Sequence, residues 1–138
     1  MPEQGALDAA LRRVGDRWTL LIVEALLDGP QRYNQLQEAV AGIATNVLSQ
    51  RLKQLEQQGL VRAEPYSQRP PRYRYALTGA GRELGDPLRL LAAWGAAHGD
   101  DAQSVGHVLC GTPLQARWFC PTCDEVVAAA DADPLRYV

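Results

Sequence analysis

The feature that most constrains this chain is an apolar segment at residues 20–27, in which Glu24 is the one polar side chain. A helix that is apolar on most sides must be buried among other elements. The segment is far shorter than the ~20 residues that span a bilayer, so we expect no transmembrane helix. Asp16 is placed to cap this helix, and residues 28–30 (Asp-Gly-Pro) are placed to end it. The rest of the fold is therefore expected to pack around it.

Amphipathic repeats on both sides of this segment predict three more helices. The first helix ends at Gly15, and its stripe consists of Leu7, Ala10, Leu11 and Val14. A short third helix covers residues 34–40, and Thr45 is expected to cap a fourth helix that runs to Gln58. The inward positions of the fourth helix are Leu48, Leu52 and Leu55. A short helix, a turn and a longer helix in this order are typical of a helix-turn-helix.

The residues after Gly59 predict a β-hairpin and then a last helical region. Side chains alternate across a strand, so Tyr73, Tyr75 and Leu77 are predicted to face the helices. Arg72 and Arg74 are then predicted to face outward. The last helical region opens at Thr78 and breaks near residues 85–87. Its inward positions are Leu84, Leu88, Leu91 and Trp94.

These elements together predict a mainly α fold with a small β-hairpin wing, which is the winged helix-turn-helix. That domain is expected to span residues 1–98, with the recognition helix at about 45–58 and the wing at about 60–77. Residues 99–138 are expected to form a small, zinc-ribbon-like C-terminal module.

Charge is distributed unevenly along the chain. The net charge of −2 by itself argues against a nucleic-acid binder. Residues 51–82, however, hold seven basic and two acidic side chains and carry +5, whereas residues 1–50 carry −2 and residues 83–138 carry −5. A basic segment within an acidic chain is expected to meet an anion.

The outer face of the fourth helix holds side chains that suit base recognition. On a helical wheel, Asn46, Ser49, Gln50, Lys53 and Gln57 fall opposite the leucines. Asn and Gln can bond adenine, Lys can reach guanine or phosphate, and wing arginines can clamp phosphates or enter a minor groove. A solvated helix face with solubilising arginines is the alternative interpretation. The candidate DNA-contacting residues are Thr45, Asn46, Ser49, Gln50, Lys53, Arg69, Arg72 and Arg74.

Across residues 5–98 the chain also resembles the HxlR family of MarR-like winged-helix regulators, through short motifs in the family's order and spacing. The motifs are VGDRWTLLI at 14–22, RYNQL at 32–36, GIATNVLSQRLKQLE at 42–56, GLV at 59–61, PPRYRYALT at 70–78, GR at 81–82 and WG at 94–95. The resemblance implies a homodimer that binds a pseudo-palindromic site in double-stranded DNA. The implied dimer contact, for which intrachain core is the alternative role, comprises Leu7, Leu11, Leu88, Leu91 and Trp94.

Two departures from the family pattern limit what the resemblance implies. Arg74 stands where the family commonly has an acidic residue, which is expected to alter ion pairing in the wing. Residues 1–13 contain no cysteine, so the N-terminal thiol sensing of some members does not carry over. A small-molecule effector is a further expectation; its pocket, for which core packing is the alternative, would be lined by Trp18, Tyr33, Tyr73 and Trp94.

The three cysteines all lie beyond residue 109 and form two pairs with one histidine. His107 and Cys110 form an H-x2-C pair, Cys120 and Cys123 form a C-x2-C pair, and nine residues separate them. This spacing favours a structural Zn²⁺ site with four protein ligands and no open position for catalysis. A redox-active dithiol at Cys120 and Cys123, or thiols with no role, are the alternatives.

Other classes of function have less support in the sequence. There are two histidines, no phosphate-binding glycine loop and no nucleophile motif, so we do not expect an enzyme; a C-x-x-C oxidoreductase is the one enzymatic alternative. A winged helix that binds protein instead of DNA is a second alternative. The N-terminus shows neither the basic nor the apolar part of a secretory signal, and we expect a cytoplasmic protein.

Overall fold

The computed structural model describes residues 5–99 and 105–128, which fall into two compact units. One unit spans residues 7–88, and the other holds the remaining described residues. The helices are α1 (Ala6–Val14), α2 (Arg17–Leu27), α3 (Tyr33–Ala39), α4 (Thr45–Gln57), α5 (Gly79–Arg82) and α6 (Gly85–His98). The strands are β1 (Gln31–Arg32), β2 (Val61–Gln68), β3 (Pro71–Leu77), β4 (Trp118–Cys120) and β5 (Glu125–Val127).

The core of the first unit is built on the apolar helix α2, as its sequence predicts. α2 contacts α3, α4 and β3. It contributes Ile22, Val23 and Leu26, each at most 2% exposed. The core is completed by buried side chains from the other elements, among them Leu36, Val40, Leu48, Leu52, Leu55, Val61 and Leu77.

The predicted wing is a β-hairpin within a three-stranded antiparallel sheet of order β1-β3-β2. Glu64 on β2 lies opposite Arg74 on β3, and the register shifts between Pro65 and Ser67. The third strand, β1, was not predicted. It has two residues, which is too short for an alternating pattern to appear.

Of the two predicted helix caps, Asp16 is confirmed and Thr45 is not, and Thr78, predicted to open the last helical region, is also a cap. The Asp16 side chain caps α2 by accepting from the Thr19 N–H, and the Thr78 side chain caps α5 by accepting from the Gly81 N–H. The prediction that Thr45 caps α4 is wrong, because Thr45 is the first helical residue. Ala44 occupies the N-cap position with an extended backbone and no side-chain hydrogen bond.

Three side chains that were predicted to face inward are exposed. Tyr75 and Leu77 do pack in the core, but Tyr73 is 51% exposed because it lies toward the tip of the wing. Leu84, just before α6, and Leu88 within it pack against the core, whereas Leu91 is 55% and Trp94 is 64% exposed. The predicted inward stripe is therefore buried at its first two positions and exposed at its last two.

The second unit contains most of α6 and a small module in residues 105–128. In the module β4 pairs with β5, with Cys120 opposite Glu125, and Gly106 forms an isolated bridge with Pro113. The compact units divide at residues 88 and 89, and the predicted domain boundary at 98 and 99 stays a prediction. Across residues 5–99 and 105–128, none of the helices has the length and apolarity that a membrane crossing requires.

A close approach of two backbones at Gly81 supplies a test of this packing. A Cβ at Gly81 would collide with the carbonyl oxygen of Leu60, whereas a Cβ at Gly79 would meet no atom within 4 Å. We expect Gly81→Ala to lower the free energy of unfolding by about 1–3 kcal/mol, because the backbones of α5 and of Leu60, just before β2, must separate. Gly79→Ala is the matched control and should leave stability within about 0.5 kcal/mol. Urea unfolding measures both variants, and equal stability of the two would contradict the packing described.

Candidate nucleic-acid interface

The polar face of α4 points away from the core, as the helical wheel predicts. Leu48, Leu52 and Leu55 on the opposite face are at most 2% exposed. The five α4 side chains proposed from the sequence as DNA contacts are all exposed, and these are Thr45, Asn46, Ser49, Gln50 and Lys53. Since a helix has one orientation once its apolar face is buried, these side chains are presented together.

The hydroxyl of Tyr33 connects the start of α3 to the start of α4. It donates to the carbonyl oxygen of Thr45 at 2.7 Å and lies 2.9 Å from the Ser49 hydroxyl. One of the candidate contact residues, Ser49, is therefore already hydrogen-bonded within the chain. Tyr33 was considered from the sequence as a pocket residue, and the structure instead gives it a contact that positions α4.

Asp16 connects α2 to α4 through a charged hydrogen bond. Its Oδ2 atom accepts from the backbone N–H of Thr19 at 3.0 Å and from Nε of Arg51 at 2.8 Å. The hydrogen bond from Arg51 is the main reason that the pKa of Asp16 lies below its ordinary value; partial burial opposes this shift, and the hydrogen bonds from Thr19 add to it. The Arg51 side chain is 22% exposed and is committed to this pair, so it holds the rear of α4 and is not part of its outer face.

Glu64 lies between two arginines on the surface of the wing. Its carboxylate accepts from Nε of Arg62 at 2.8 Å and from Nε of Arg74 at 3.2 Å. The hydrogen bond from Arg62 is the main reason that the pKa of Glu64 lies below its ordinary value; burial opposes this shift, and the hydrogen bond from Arg74 adds to it. The altered ion pairing expected at Arg74 is therefore a salt bridge to Glu64 that joins the two strands of the wing.

The remaining wing arginines differ from Arg74. Arg69 lies at the tip and Arg72 on β3, and both are exposed. Within the part of the chain that the structure describes, neither of them forms an ion pair. The charges of Arg69 and Arg72 are therefore less neutralised within the chain than those of Arg62 and Arg74, which both pair with Glu64.

Arg32 is a wing contact that the sequence reasoning missed. Its guanidinium lies 4.5 Å from the centre of the Tyr66 ring, which joins β1 to the outer strand of the wing. A cation over an aromatic ring stabilises such a contact by roughly 0.5–1 kcal/mol at an exposed site. The sequence does not predict this contact, because Arg32 and Tyr66 are far apart along the chain. The register shift next to Tyr66 also cannot be predicted from the alternation of side chains.

A cleft in the first unit is not lined by the aromatic residues predicted for the effector pocket. The cleft has a volume of about 480 Å³ and is lined by Arg17 and Glu24 of α2, by Gln31 of β1 and by residues around the end of α3, including Val40. Trp18 packs partly buried against the core, and Tyr73 lies exposed on the wing. A pocket formed by the predicted aromatic set stays a prediction.

The cysteine and histidine pairs lie in the second unit. Nδ1 of His107 is 3.3 Å from the sulfur of Cys110. That sulfur is hydrogen-bonded to the Thr112 hydroxyl at 3.2 Å and accepts from the Thr112 backbone N–H. The sulfur of Cys120 accepts from the backbone N–H groups of Cys123 and Thr122. These hydrogen bonds hold the pKa of the Cys110 and Cys120 thiols below the ordinary value. Among the described residues, no three His, Cys, Asp or Glu side chains are grouped to hold a metal ion.

The winged helix with its exposed polar recognition face defines a class, the helix-turn-helix transcriptional regulators. A family model for the HxlR-like helix-turn-helix matches residues 13–103, more than half of the chain. The chain belongs to the HxlR family. The resemblance seen in the sequence motifs is thereby confirmed.

Curated relatives carry the same description. An HTH-type transcriptional regulator of Mycobacterium tuberculosis is 35% identical over 136 residues, which cover 96% of this chain and 85% of the relative. The HTH-type transcriptional regulator YtcD of Bacillus subtilis is 34% identical over 93 residues, which cover 67% of this chain and 74% of the relative. The family model ends at residue 103, whereas the mycobacterial match necessarily extends into the C-terminal module.

Solved structures have the same winged-helix fold. The crystal structure of YtcD matches with a TM-score of 0.64 and 34% identity, covering 69% of this chain and 97% of that one. The reduced form of the redox regulator HypR matches with a TM-score of 0.64 and 30% identity, covering 68% and 93%. A MarR-family regulator of Enterococcus faecalis matches with a TM-score of 0.61 and 35% identity, covering 71% and 89%.

The charged contact between Asp16 and Arg51 predicts a pH dependence of stability. Asparagine caps a helix about as well as aspartate, so Asp16→Asn removes mainly the pairing with Arg51, and we expect a loss of up to about 1 kcal/mol at pH 7. Because the folded-state pKa of Asp16 is lowered, its stabilisation is complete above the unfolded value of about 3.9 and disappears as the pH falls through the folded value. The difference between wild type and variant should therefore shrink below about pH 4.

Urea unfolding between pH 3 and pH 7 measures this difference. The matched control is Asp28→Asn, which changes an exposed carboxylate at the other end of α2. A difference that is constant across this pH range, or one of equal size in the control, would contradict the role given to Asp16.

Proposed function

We propose that the protein is a sequence-specific DNA-binding repressor that acts in the cytoplasm as a homodimer. The observation that carries this proposal is the exposed polar face of α4, held in one orientation by the buried leucines, the Tyr33 hydroxyl and the pair of Asp16 with Arg51. α4 enters the major groove, and the wing contacts the adjacent backbone.

Base recognition is assigned to the outer face of α4. Asn46 and Gln50 carry amides that can both donate and accept, as the adenine edge requires, and Lys53 can donate to guanine. All three side chains are exposed and lie opposite the buried leucines. Ser49 and Thr45 are placed closer to the Tyr33 hydroxyl, which favours contacts with the sugar-phosphate backbone for these two.

Phosphate binding is assigned to the wing, chiefly to Arg69 and Arg72. Each phosphate that a basic side chain neutralises releases counterions, which makes binding depend on salt. Arg74 shares its charge with Glu64 and is expected to contribute less than either of the other two arginines.

The homodimer is supported by apolar side chains that the chain itself leaves uncovered. Leu7 and Leu11 on α1 are exposed, and so are Leu91 and Trp94 on α6. Leu88, which was also assigned to the contact, packs against the core of its own chain and is a supporting residue at most. A dimer with two recognition helices covers two half-sites and occludes a promoter that overlaps them, which is the basis for proposing repression.

The division between base and phosphate contacts predicts two kinds of variant. Gln50→Ala and Asn46→Ala should each reduce discrimination against the wrong base by about 1–3 kcal/mol at one position. Arg72→Ala should weaken all sequences alike and reduce the slope of log affinity against log salt by about 0.9. The measurement is a salt titration by fluorescence anisotropy on a fragment of the gene's own promoter region and on a scrambled fragment.

The control for these variants is Gln115→Ala, which removes an exposed amide from the C-terminal module. Equal losses on both fragments for all three variants would contradict the division of roles. Wild-type binding that is indifferent to both salt and sequence would instead indicate the winged helix that binds protein.

The dimer contact predicts that a charge on its apolar surface separates the protomers. Leu11→Asp and Leu91→Asp should shift the protein from dimer to monomer in sedimentation velocity, because each buries a carboxylate in the contact. Leu109→Asp is the control, since Leu109 is 88% exposed in the C-terminal module. Dimers that persist in both contact variants, or footprints that cover a single half-site, would contradict the proposed assembly.

A further inference from the structure

Two short turns outside the winged helix have the same backbone construction. In one turn the N–H of Gly111 donates to the carbonyl oxygen of His107 at 2.7 Å, and in the other the N–H of Asp124 donates to that of Cys120 at 2.9 Å. The residue after the second member of each pair has a positive φ, 71° at Gly111 and 55° at Asp124. Aspartate is disfavoured there relative to glycine, yet the second turn adopts the same conformation.

Each turn also directs backbone donors at a sulfur atom. Cys120 accepts from the N–H groups of Thr122 and Cys123, and Cys110 accepts from the N–H of Thr112. Donors of this kind are the supporting hydrogen bonds that orient metal ligands.

Each turn brings its own pair of side chains together. Nδ1 of His107 is 3.3 Å from the sulfur of Cys110, and the thiols of Cys120 and Cys123 are hydrogen-bonded to each other. Each turn therefore holds two potential metal-ligating side chains close together, and the two turns have the same backbone conformation.

Apolar burial does not account for this construction. Between residues 105 and 128 no side chain is buried, and Val108 is 97% and Leu109 is 88% exposed. Segments this small need a covalent or metal cross-link to hold a fixed structure.

We propose that His107, Cys110, Cys120 and Cys123 bind one structural Zn²⁺ per chain in a tetrahedral site. The two turns close onto the ion, with the nine intervening residues as the connection, so the pairs need not be in contact before the metal arrives. Neutral imidazole supplies one ligand and three thiolates supply the others, so binding releases three thiol protons and leaves a site charge of −1. With four protein ligands the site has no open position, and its role is to hold the module together.

A disulfide between Cys120 and Cys123 is the competing use of the second turn. It would form one S–S bond with loss of two protons and two electrons to an oxidant, and it would involve neither His107 nor Cys110. The matching geometry of the first turn, with its backbone donor to the Cys110 sulfur, would then have no function. Zinc uses both turns and is the interpretation that accounts for both.

The test uses the full-length protein, purified anaerobically without chelator or added metal. Metal analysis should find close to one zinc per chain. Replacement of zinc by Co²⁺ should give the thiolate-to-cobalt absorption and the intense visible bands of a tetrahedral site with three sulfur ligands. Less than about 0.3 zinc per chain together with no such cobalt spectrum would overturn the proposal, as would a Cys120–Cys123 disulfide in the metal-free protein.

Single substitutions locate the site. His107→Ala, Cys110→Ser and Cys123→Ser should each weaken zinc binding by at least ~100-fold, since even the loss of a supporting contact weakens a metal site by about 10–100-fold. The control His98→Ala changes the other histidine of the chain and should keep its zinc. Asp124→Gly keeps every ligand while relieving the positive φ, so it should bind zinc at least as tightly as wild type. Full zinc occupancy in His107→Ala and Cys110→Ser would overturn the four-ligand site, and none of these measurements depends on DNA binding.

Discussion

The packing of the leucine face of α4 against α2 is the contact on which the rest of the winged helix depends. Leu48 and Leu52 meet a helix that is itself apolar on most sides, and neither helix can leave the core without exposing the other. Burial of one such side chain stabilises the fold by roughly 1.5–3 kcal/mol. Because one face of α4 is fixed in this way, the opposite face has a defined direction, and the polar contacts of Tyr33 and Asp16 serve to refine it.

Most of the helical framework follows from periodicity, because the positions of the apolar residues reflect which face must be buried. α2, α4 and the wing were predicted close to their observed bounds for this reason. The failures have local causes. Threonine is a favoured capping residue, but α4 begins at Thr45 itself, one residue earlier than a Thr45 cap would require, and Ala44 takes the N-cap position. Tyr73 continues the alternation of its strand beyond the point where helices lie beneath it, so alternation alone could not predict its exposure.

The contacts that position the candidate site were harder to predict than its exposed residues. Exposed residues of α4 follow from a helical wheel, whereas the pairs Asp16 with Arg51 and Arg32 with Tyr66 join residues more than thirty positions apart in the sequence. Their formation depends on how elements cross in three dimensions. The pairing of Glu64 with Arg74 lies between these cases, because it follows from the hairpin register once the turn is placed.

The four arginines of the wing fall into two pairs, one neutralised in part by Glu64 and one without an ion pair among the described residues. Arg62 and Arg74 are both bonded to Glu64, which leaves this cluster with a single net positive charge at a defined place on the sheet. Arg69 and Arg72, nearer the tip, keep their full charge for a polyanion. The wing thus lowers the repulsion among its four arginines in the free protein. The fixed register of Arg62 and Arg74 sets the position of Arg69 and Arg72, the two residues proposed to bind phosphate.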